Sequence, residues 1–354
     1  MARKKAFDKI EKSELDIYFD ELEDKVADRK SIKALEYEEF EDGWSVTANR
    51  HKIQKVTDLV IPAFYKGKPV LNVFVNAFSH CLNLESVTFE RGSVVKSVHH
   101  YAFCGCSNLT KVSLPDSIDI IYDDVFKDCN KLSAIKIPFV GKERNSTKEN
   151  FLGYLFSGNN YQKNDNVVSK TLKTVIVSGG EKIPNNAFYG CADINKIIIG
   201  DGVTSIGNDA FNGCTSLEEI VLPKSIESIG SRAFWGCAKL KNIVIPESVS
   251  SIGSLAFENC NGLTAITISF NVQKIGFGAF AHCKNLAYAD FEDPEDWFVS
   301  TRSQMTKAES VLRKDLANTA IASNLLRAQH SAKYWAKIAN EDVLTDEDTE
   351  TEEF

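Results

Sequence analysis

The chain has 354 residues, of which 43% are hydrophobic and 25% charged, so its composition is that of an ordinary globular protein with a large core. Its net charge of −8 arises in an acidic tail, residues 341–354, which is predicted to be disordered. The other acids and bases balance, which argues against nucleic acid as a partner. No apolar stretch reaches about 18 residues, so no membrane span is expected.

An amphipathic helix is predicted near the N-terminus, within a flank that covers residues 1–40. Ser13 and Asp16 form a candidate capping box. Residues 1–12 lack the apolar run and the cleavage site of a signal peptide, so we expect a cytoplasmic protein. The alternative is a cell-surface protein, or one secreted by a non-classical route. The apolar residues at helical spacing are Leu15, Tyr18, Phe19, Leu22 and Val26.

A cap is predicted at residues 41–75. The Asp42-Gly43 turn lies between two apolar runs, which indicates a β-hairpin. Residues 59–62 are typical of a short extended segment, and residues 66–69 of a turn. A repeat array needs such an atypical end to close its exposed apolar side.

Residues 76–291 repeat the pattern A-F-x-x-C-x-x-L-x-x-I-x-I-P-x-x-V-x-x-I-G. The last four intervals between the repeat phenylalanines are each 23 residues. This period predicts a solenoid of about nine coils, because one such unit cannot bury its apolar side alone and must stack on its neighbours. The repeat phenylalanines are Phe78, Phe103, Phe126, Phe156, Phe188, Phe211, Phe234, Phe257 and Phe280.

Each coil is predicted to hold one short parallel strand and a single helical turn. The I-x-I stretch directs its two apolar residues inward and its middle residue outward. Proline ends the strand, and the glycine of the I-G step is expected to give the backbone freedom for the next turn. Eight cysteines, each three residues after a repeat phenylalanine, are expected to be buried reduced thiols, because stacked coils hold equivalent side chains too far apart for a disulfide.

The regular pattern is interrupted at residues 139–171, where a long coil carries polar insertions. These insertions are predicted to be surface loops, either binding loops or tolerated additions. A C-terminal capping segment is predicted at residues 292–340, with helix expected between Lys307 and Ile338.

Two sets of residues are candidate partner-binding sites. The first is an aliphatic run in the outward middle column, at Ile176, Ile198, Val221 and Val244. Contiguous exposed apolar surface often marks an interaction site, although β-branched residues also simply suit a sheet. The second set is Tyr189 and Trp235, which are residue types favoured in interfaces. The alternative for Trp235 is packing against a neighbouring coil.

Catalytic, cofactor and metal sites are not predicted. The chain contains none of the motifs G-x-x-x-x-G-K-[ST], G-x-S-x-G, H-E-x-x-H or G-x-G-x-x-G. His80, His99 and His100 lie near cysteines in coil position, but their spacing is not a recognised zinc pattern. We therefore expect no enzyme activity, no cofactor and no metal.

The repeat resembles the BspA-type, or Treponema pallidum-type, leucine-rich repeat family over roughly residues 43–340. Residues 189–191, 212–214 and 235–237 match the family's x-G-C step, and residues 223–226 and 246–249 match its P-x-S-V step. The resemblance implies a right-handed leucine-rich repeat solenoid without catalytic residues. It also implies adhesion or protein binding by envelope or exported bacterial proteins. This chain differs from the usual exported member because it begins with a predicted charged helix and lacks a signal peptide.

These observations predict a non-catalytic scaffold that binds a protein partner through its strand-bearing face, in a host-interaction or adhesion-like role. Two alternatives remain from the sequence. One is a structural protein that associates with itself, and the other is a surface protein that binds glycans.

Overall fold

The structure is a computed structural model that describes residues 26–144, 150–157, 164, 167–305 and 308–337. The chain forms two compact units, which we call unit 1 (Met1–Gly180) and unit 2 (Glu181–Phe354). Each unit is a stack of short coils, so the predicted leucine-rich repeat solenoid is confirmed. The predicted N-terminal helix lies outside the described residues as far as position 25, and so does the acidic tail.

The described residues of unit 1 form short strands and one short α-helix. Its elements are α1 (Arg29–Lys33), β1 (Leu35–Phe40), β2 (Gly43–Ala48), β3 (Asp58–Ile61), β4 (Phe64–Tyr65), β5 (Lys68–Val73), β6 (Ser86–Phe89), β7 (Ser97–Val98), β8 (Lys111–Ser113), β9 (Ile120–Ile121), β10 (Ala134–Ile137) and β11 (Thr174–Val177). One parallel sheet within this unit has the order β3-β6-β8-β10-β11. A second sheet has the order β1-β2-β5-β7-β9, and its first two strands form the predicted antiparallel hairpin. Short 3-10 turns occur at Ile53–Lys55 and Leu152–Leu155.

Unit 2 repeats this arrangement and ends in a different cap. Its elements are β12 (Lys182–Ile183), β13 (Lys196–Ile199), β14 (Ser205–Ile206), β15 (Glu219–Val221), β16 (Ser228–Ile229), β17 (Ser251–Ile252), β18 (Ala265–Ile268), β19 (Lys274–Ile275), β20 (Tyr288–Phe291), β21 (Trp297–Ser300), β22 (Glu309–Ser310), α2 (Arg313–Leu316), α3 (Thr319–Asn324) and β23 (Tyr334–Lys337). Within the unit, β13 pairs with β15, β18 pairs with β20, and β12-β14-β16-β17-β19 form a third parallel ladder.

The core of each unit is a ladder of repeat phenylalanines. In unit 2 the rings from Phe188 to Phe280 stack with centroids 5.0–5.2 Å apart and planes within 16° of parallel. In unit 1 the ladder is regular at Phe78–Phe103, with centroids 5.2 Å apart. It loosens at Phe126–Phe156, where the separation is 6.1 Å and the tilt 47°. The looser contact coincides with the predicted long coil, whose extra residues change the position of its phenylalanine.

The repeat cysteines form a second internal ladder. Six of the buried thiols donate a hydrogen bond to the carbonyl of the repeat phenylalanine in the preceding coil, namely Cys106, Cys129, Cys214, Cys237, Cys260 and Cys283. The Sγ to O distance is 3.2 Å for Cys214 to Phe188 and 3.1 Å for Cys260 to Phe234. These thiols therefore satisfy a backbone acceptor, and no described cysteine forms a disulfide.

The turns between strands differ from the predicted single helical turns. They are hydrogen-bonded turns that begin with a left-handed residue, such as Asp209 (φ 55°) or Arg232 (φ 53°), and this residue prevents a continuous helix. The I-G glycines also have a different role from the predicted one. A Cβ on Gly253 would lie 2.4 Å from the backbone nitrogen of Ser231. Glycine is needed at this position because the preceding coil passes so close.

The C-terminal cap is helical only in part. α2 and α3 lie within the predicted helical segment, and a π-helical turn follows at Leu325–Gln329. The chain then forms β23, which pairs antiparallel with both β19 and β21. Trp297 and Trp335 are buried there against Phe291. These aromatic residues cover the end of the unit 2 core.

Candidate functional site

The outer face of unit 2, on the side of the strands away from the core, carries three aliphatic residues. In β13 the flanking Ile197 and Ile199 are buried and Ile198 faces outward, half-buried. Val221 is in register with Ile198 on β15 and is also half-buried. Val244, one coil further, is 47% exposed. We call Ile198, Val221 and Val244 the aliphatic patch.

The strand ladder is interrupted beside this patch. The pattern predicts a strand at residues 243–245, but residues 241–246 form no strand in the described chain, whereas β15 and β18 on either side do. Ile243 and Ile245 nevertheless remain buried, so the core pattern persists without ladder hydrogen bonds. Val244 is the most exposed member of the patch, and it lies at this interruption.

Charged residues border the aliphatic patch at the start of the strands. Lys196 Nζ lies 3.1 Å from Glu219 Oε1. Glu218 lies 3.8 Å from Lys241 and 4.0 Å from Lys239. Exposed ion pairs of this kind contribute only about 0–1 kcal/mol each to stability. An apolar centre with a charged border is the usual layout of a protein interface.

Ile176, on β11 of unit 1, was predicted to face solvent. This prediction is wrong, because its side chain is only 8% exposed. Lys136 lies directly opposite it in register on β10. Adjacent strands are about 4.8 Å apart, so the stem of a long lysine side chain can lie against its neighbour. The accessible aliphatic residues of the predicted column are therefore those of unit 2.

The second candidate set, Tyr189 and Trp235, lies on the turns of unit 2. The two side chains are 39% and 37% exposed. The Trp235 indole Nε1 donates to Glu258 Oε2 of the next coil at 2.9 Å. His282 Nε2 of the following coil lies 3.8 Å from the other oxygen of Glu258. Trp235 thus links neighbouring coils, as the alternative interpretation requires, and a binding role for it stays a prediction.

The described residues contain no group of three or more His, Cys, Asp or Glu side chains that could hold a metal ion. Burial raises the pKa of the Cys129 and Cys283 thiols to about 12 and that of Cys81 to about 11. These thiols stay protonated at neutral pH and are poor nucleophiles. Among the described helices, none is both long enough and apolar enough to cross a membrane.

Sequence reasoning did not find a recess on the outer face of unit 1. It has a volume of about 200 Å³ and lies at the ends of β6 and β8. Thr88 and Ser113 line it, together with the loops at residues 89–93 and 114–117. The sequence feature that could have indicated the recess is the small hydroxyl residue, Thr88 or Ser113, at the outward middle position of each of these two strands.

The BspA type leucine rich repeat region matches the chain in six copies, over residues 70–171 and 181–296. Comparison with curated proteins gives no match.

Several solved structures are similar. A leucine rich repeat protein of T. pallidum is 22% identical, with 74% of this chain and 91% of that chain covered and a TM-score of 0.30. A leucine-rich repeat protein from Bacteroides ovatus is 20% identical, with coverage of 73% and 93% and a TM-score of 0.33. A leucine rich cell surface protein from Faecalibacterium prausnitzii is 19% identical, with coverage of 73% and 93% and a TM-score of 0.36. Because the family repeat matches more than half of its length, this chain belongs to the BspA-type leucine-rich repeat family.

Proposed function

We propose that this protein is a non-catalytic interaction scaffold that binds a partner protein through the aliphatic patch of unit 2. The observation that carries the proposal is three outward aliphatic side chains on consecutive coils, with Val244 47% exposed at the end of the row. The charged border formed by Glu218, Lys239 and Lys241 supports it, because such a border gives an apolar contact its orientation. Leucine-rich repeat families commonly serve as interaction scaffolds, which agrees with this proposal.

The expected energy is modest and measurable. Covering the exposed part of Val221 and Val244 contributes about 1 kcal/mol for each side chain, before the costs of association. An aspartate at either position would also bring an unpaired charge into the interface. Together these changes should weaken binding at least about tenfold, since each 1.4 kcal/mol is a factor of ten.

Affinity capture with quantitative mass spectrometry tests the proposal. The full chain is compared with Val221→Asp/Val244→Asp and with Ala192→Asp/Thr215→Asp. The control adds the same two charges at exposed positions elsewhere in unit 2. We expect a partner that both the parent chain and the control retain and that the patch variant loses. Equal retention by all three chains would refute the assignment of the patch.

Light scattering over a range of concentrations separates this proposal from self-association. A monomer whose mass does not change with concentration is expected. A mass that rises with concentration in the parent and not in the patch variant would show that the patch binds a second copy of the chain.

A further inference from the structure

Asparagine is followed by glycine at two places in the chain, Asn212-Gly213 and Asn261-Gly262. The side-chain amide of asparagine can react with the backbone nitrogen of the next residue. Glycine favours this reaction, because it has no side chain to hinder the approach and its backbone is flexible. Both pairs lie in turns of unit 2. They therefore present the same chemistry in two structural settings.

The fold holds both reacting groups of the first pair. The Gly213 amide donates to the carbonyl of Trp235 in the next coil, at 2.8 Å. The Asn212 side chain is only 8% exposed, and its Nδ2 donates to Asp209 Oδ1 at 2.6 Å. Because the attacking nitrogen and the amide under attack are both engaged in hydrogen bonds, we expect the folded chain to react slowly at Asn212.

The second pair lacks these restraints among the described residues. The Oδ1 atom of Asn261 has no hydrogen-bond partner there. The Gly262 amide likewise donates no hydrogen bond to any described residue. Both residues are half-buried, so solvent reaches the turn. Neither the attacking nitrogen nor the side-chain oxygen is therefore held in place by a hydrogen bond.

We propose that Asn261 is a site of spontaneous deamidation in the folded protein and that the fold protects Asn212. After base removes its proton, the Gly262 nitrogen attacks Cγ of Asn261. The new N–Cγ bond forms, the Cγ–Nδ2 bond breaks, and ammonia leaves. Water then opens the resulting succinimide at either carbonyl, which leaves aspartate or isoaspartate at position 261. This inference does not depend on the partner proposed for the aliphatic patch.

Isoaspartate would lengthen the main chain inside a closely packed turn. The Leu263 amide donates to the Cys260 carbonyl at 3.1 Å, and this hydrogen bond closes the turn around the reacting pair. A Cβ on Gly262 would lie 2.8 Å from the carbonyl oxygen of Ala238 in the preceding coil. The turn thus has little room for an additional backbone atom. We expect isoaspartate to loosen this turn, whereas aspartate leaves the main chain unchanged.

Peptide mapping of the full chain, incubated in mildly alkaline buffer, tests the proposal. Mass spectrometry of the tryptic peptides 242–274 and 197–224 detects the mass gain from replacement of NH₂ by OH, and fragmentation assigns the residue. We expect Asn261 to deamidate at least about tenfold faster than Asn212. In the urea-unfolded chain the two sites should react at similar rates. Equal rates in the folded chain, a faster rate at Asn212, or no reaction at Asn261 would overturn the proposal.

Two glutamine variants confirm which residue reacts. Asn261→Gln should abolish the mass gain at position 261, because the longer side chain must close a larger ring. Asn212→Gln is the matched control and should leave the rate at Asn261 unchanged. A mass gain in peptide 242–274 that persists in Asn261→Gln would overturn the assignment to Asn261.

Urea denaturation tests the consequence for the turn. The deamidated fraction that contains isoaspartate, isolated by anion exchange, is compared with the variant Asn261→Asp. Both proteins carry the same added charge, but only isoaspartate lengthens the main chain. We expect a lower transition midpoint for the isoaspartate fraction. Equal midpoints would refute the expected loosening of the turn.

Discussion

Phe234 gives the sharpest test of how the stacked coils are stabilised. The ring is fully buried and stacks on Phe211 at 5.1 Å and on Phe257 at 5.0 Å. Each stacked aromatic pair stabilises the fold by about 0.5–1.5 kcal/mol beyond the effect of its buried area. Phe234→Leu removes two such pairs, so lost stacking alone should lower the free energy of unfolding by about 1–3 kcal/mol. Urea denaturation followed by tryptophan fluorescence measures this loss as a lower transition midpoint.

Double-mutant cycles separate stacking from general loss of volume. The adjacent pair, Phe211→Leu with Phe234→Leu, should show a coupling energy of about 0.5–1.5 kcal/mol. The control pair, Phe211→Leu with Phe257→Leu, has Phe234 between its members. Its coupling should stay within about 0.5 kcal/mol of zero. Equal coupling in the two cycles would refute the nearest-neighbour account of stability.

Three further predictions concern glycine and cysteine residues. Gly253→Ala should lower the free energy of unfolding by at least about 1–3 kcal/mol, because the added Cβ meets backbone atoms. Gly202→Ala is the control: its Cβ faces open space, so it should lower the free energy of unfolding by less, despite the positive φ of this residue. Urea titration measures both changes. Burial raises the pKa of Cys129 and Cys283 from 9.0 to about 12, so the folded state keeps these thiols protonated at a pH where the unfolded chain loses the protons. The stabilisation is fully present below pH 9 and is lost as pH rises. At pH 10 the free energy of unfolding should be lower by about 1.4 kcal/mol for each thiol. A pH-independent stability between pH 8 and 10 would contradict this sign. Iodoacetamide should modify Cys104 before any other cysteine, and peptide mapping would detect it.

The repeat period was sufficient to predict the solenoid and most of its core. The columns of phenylalanine, cysteine and isoleucine repeat because each coil must bury the same positions against its neighbour. The role of the I-G glycine was not predictable in this way. The sequence pattern shows that glycine recurs at Gly253. Only the structure shows why no side chain fits there: a Cβ would lie 2.4 Å from the backbone nitrogen of Ser231.

The candidate site was predicted only in part. The period correctly directs Ile198, Val221 and Val244 outward, because alternation along a strand is a local property. The burial of Ile176 depends on the side chains beside it, which no single coil specifies. The final β23 strand was missed for a similar reason, since its pairing partners β19 and β21 lie at least 34 residues away in sequence.

The most direct test of the proposed function is oxidative footprinting of the full chain with and without a captured partner. The account predicts that oxidation of Val221 and Val244 falls when the partner binds, whereas oxidation of Tyr189 and Trp235 does not change. Protection of Tyr189 and Trp235, with Val221 and Val244 unaffected, would contradict it and place binding on the turns.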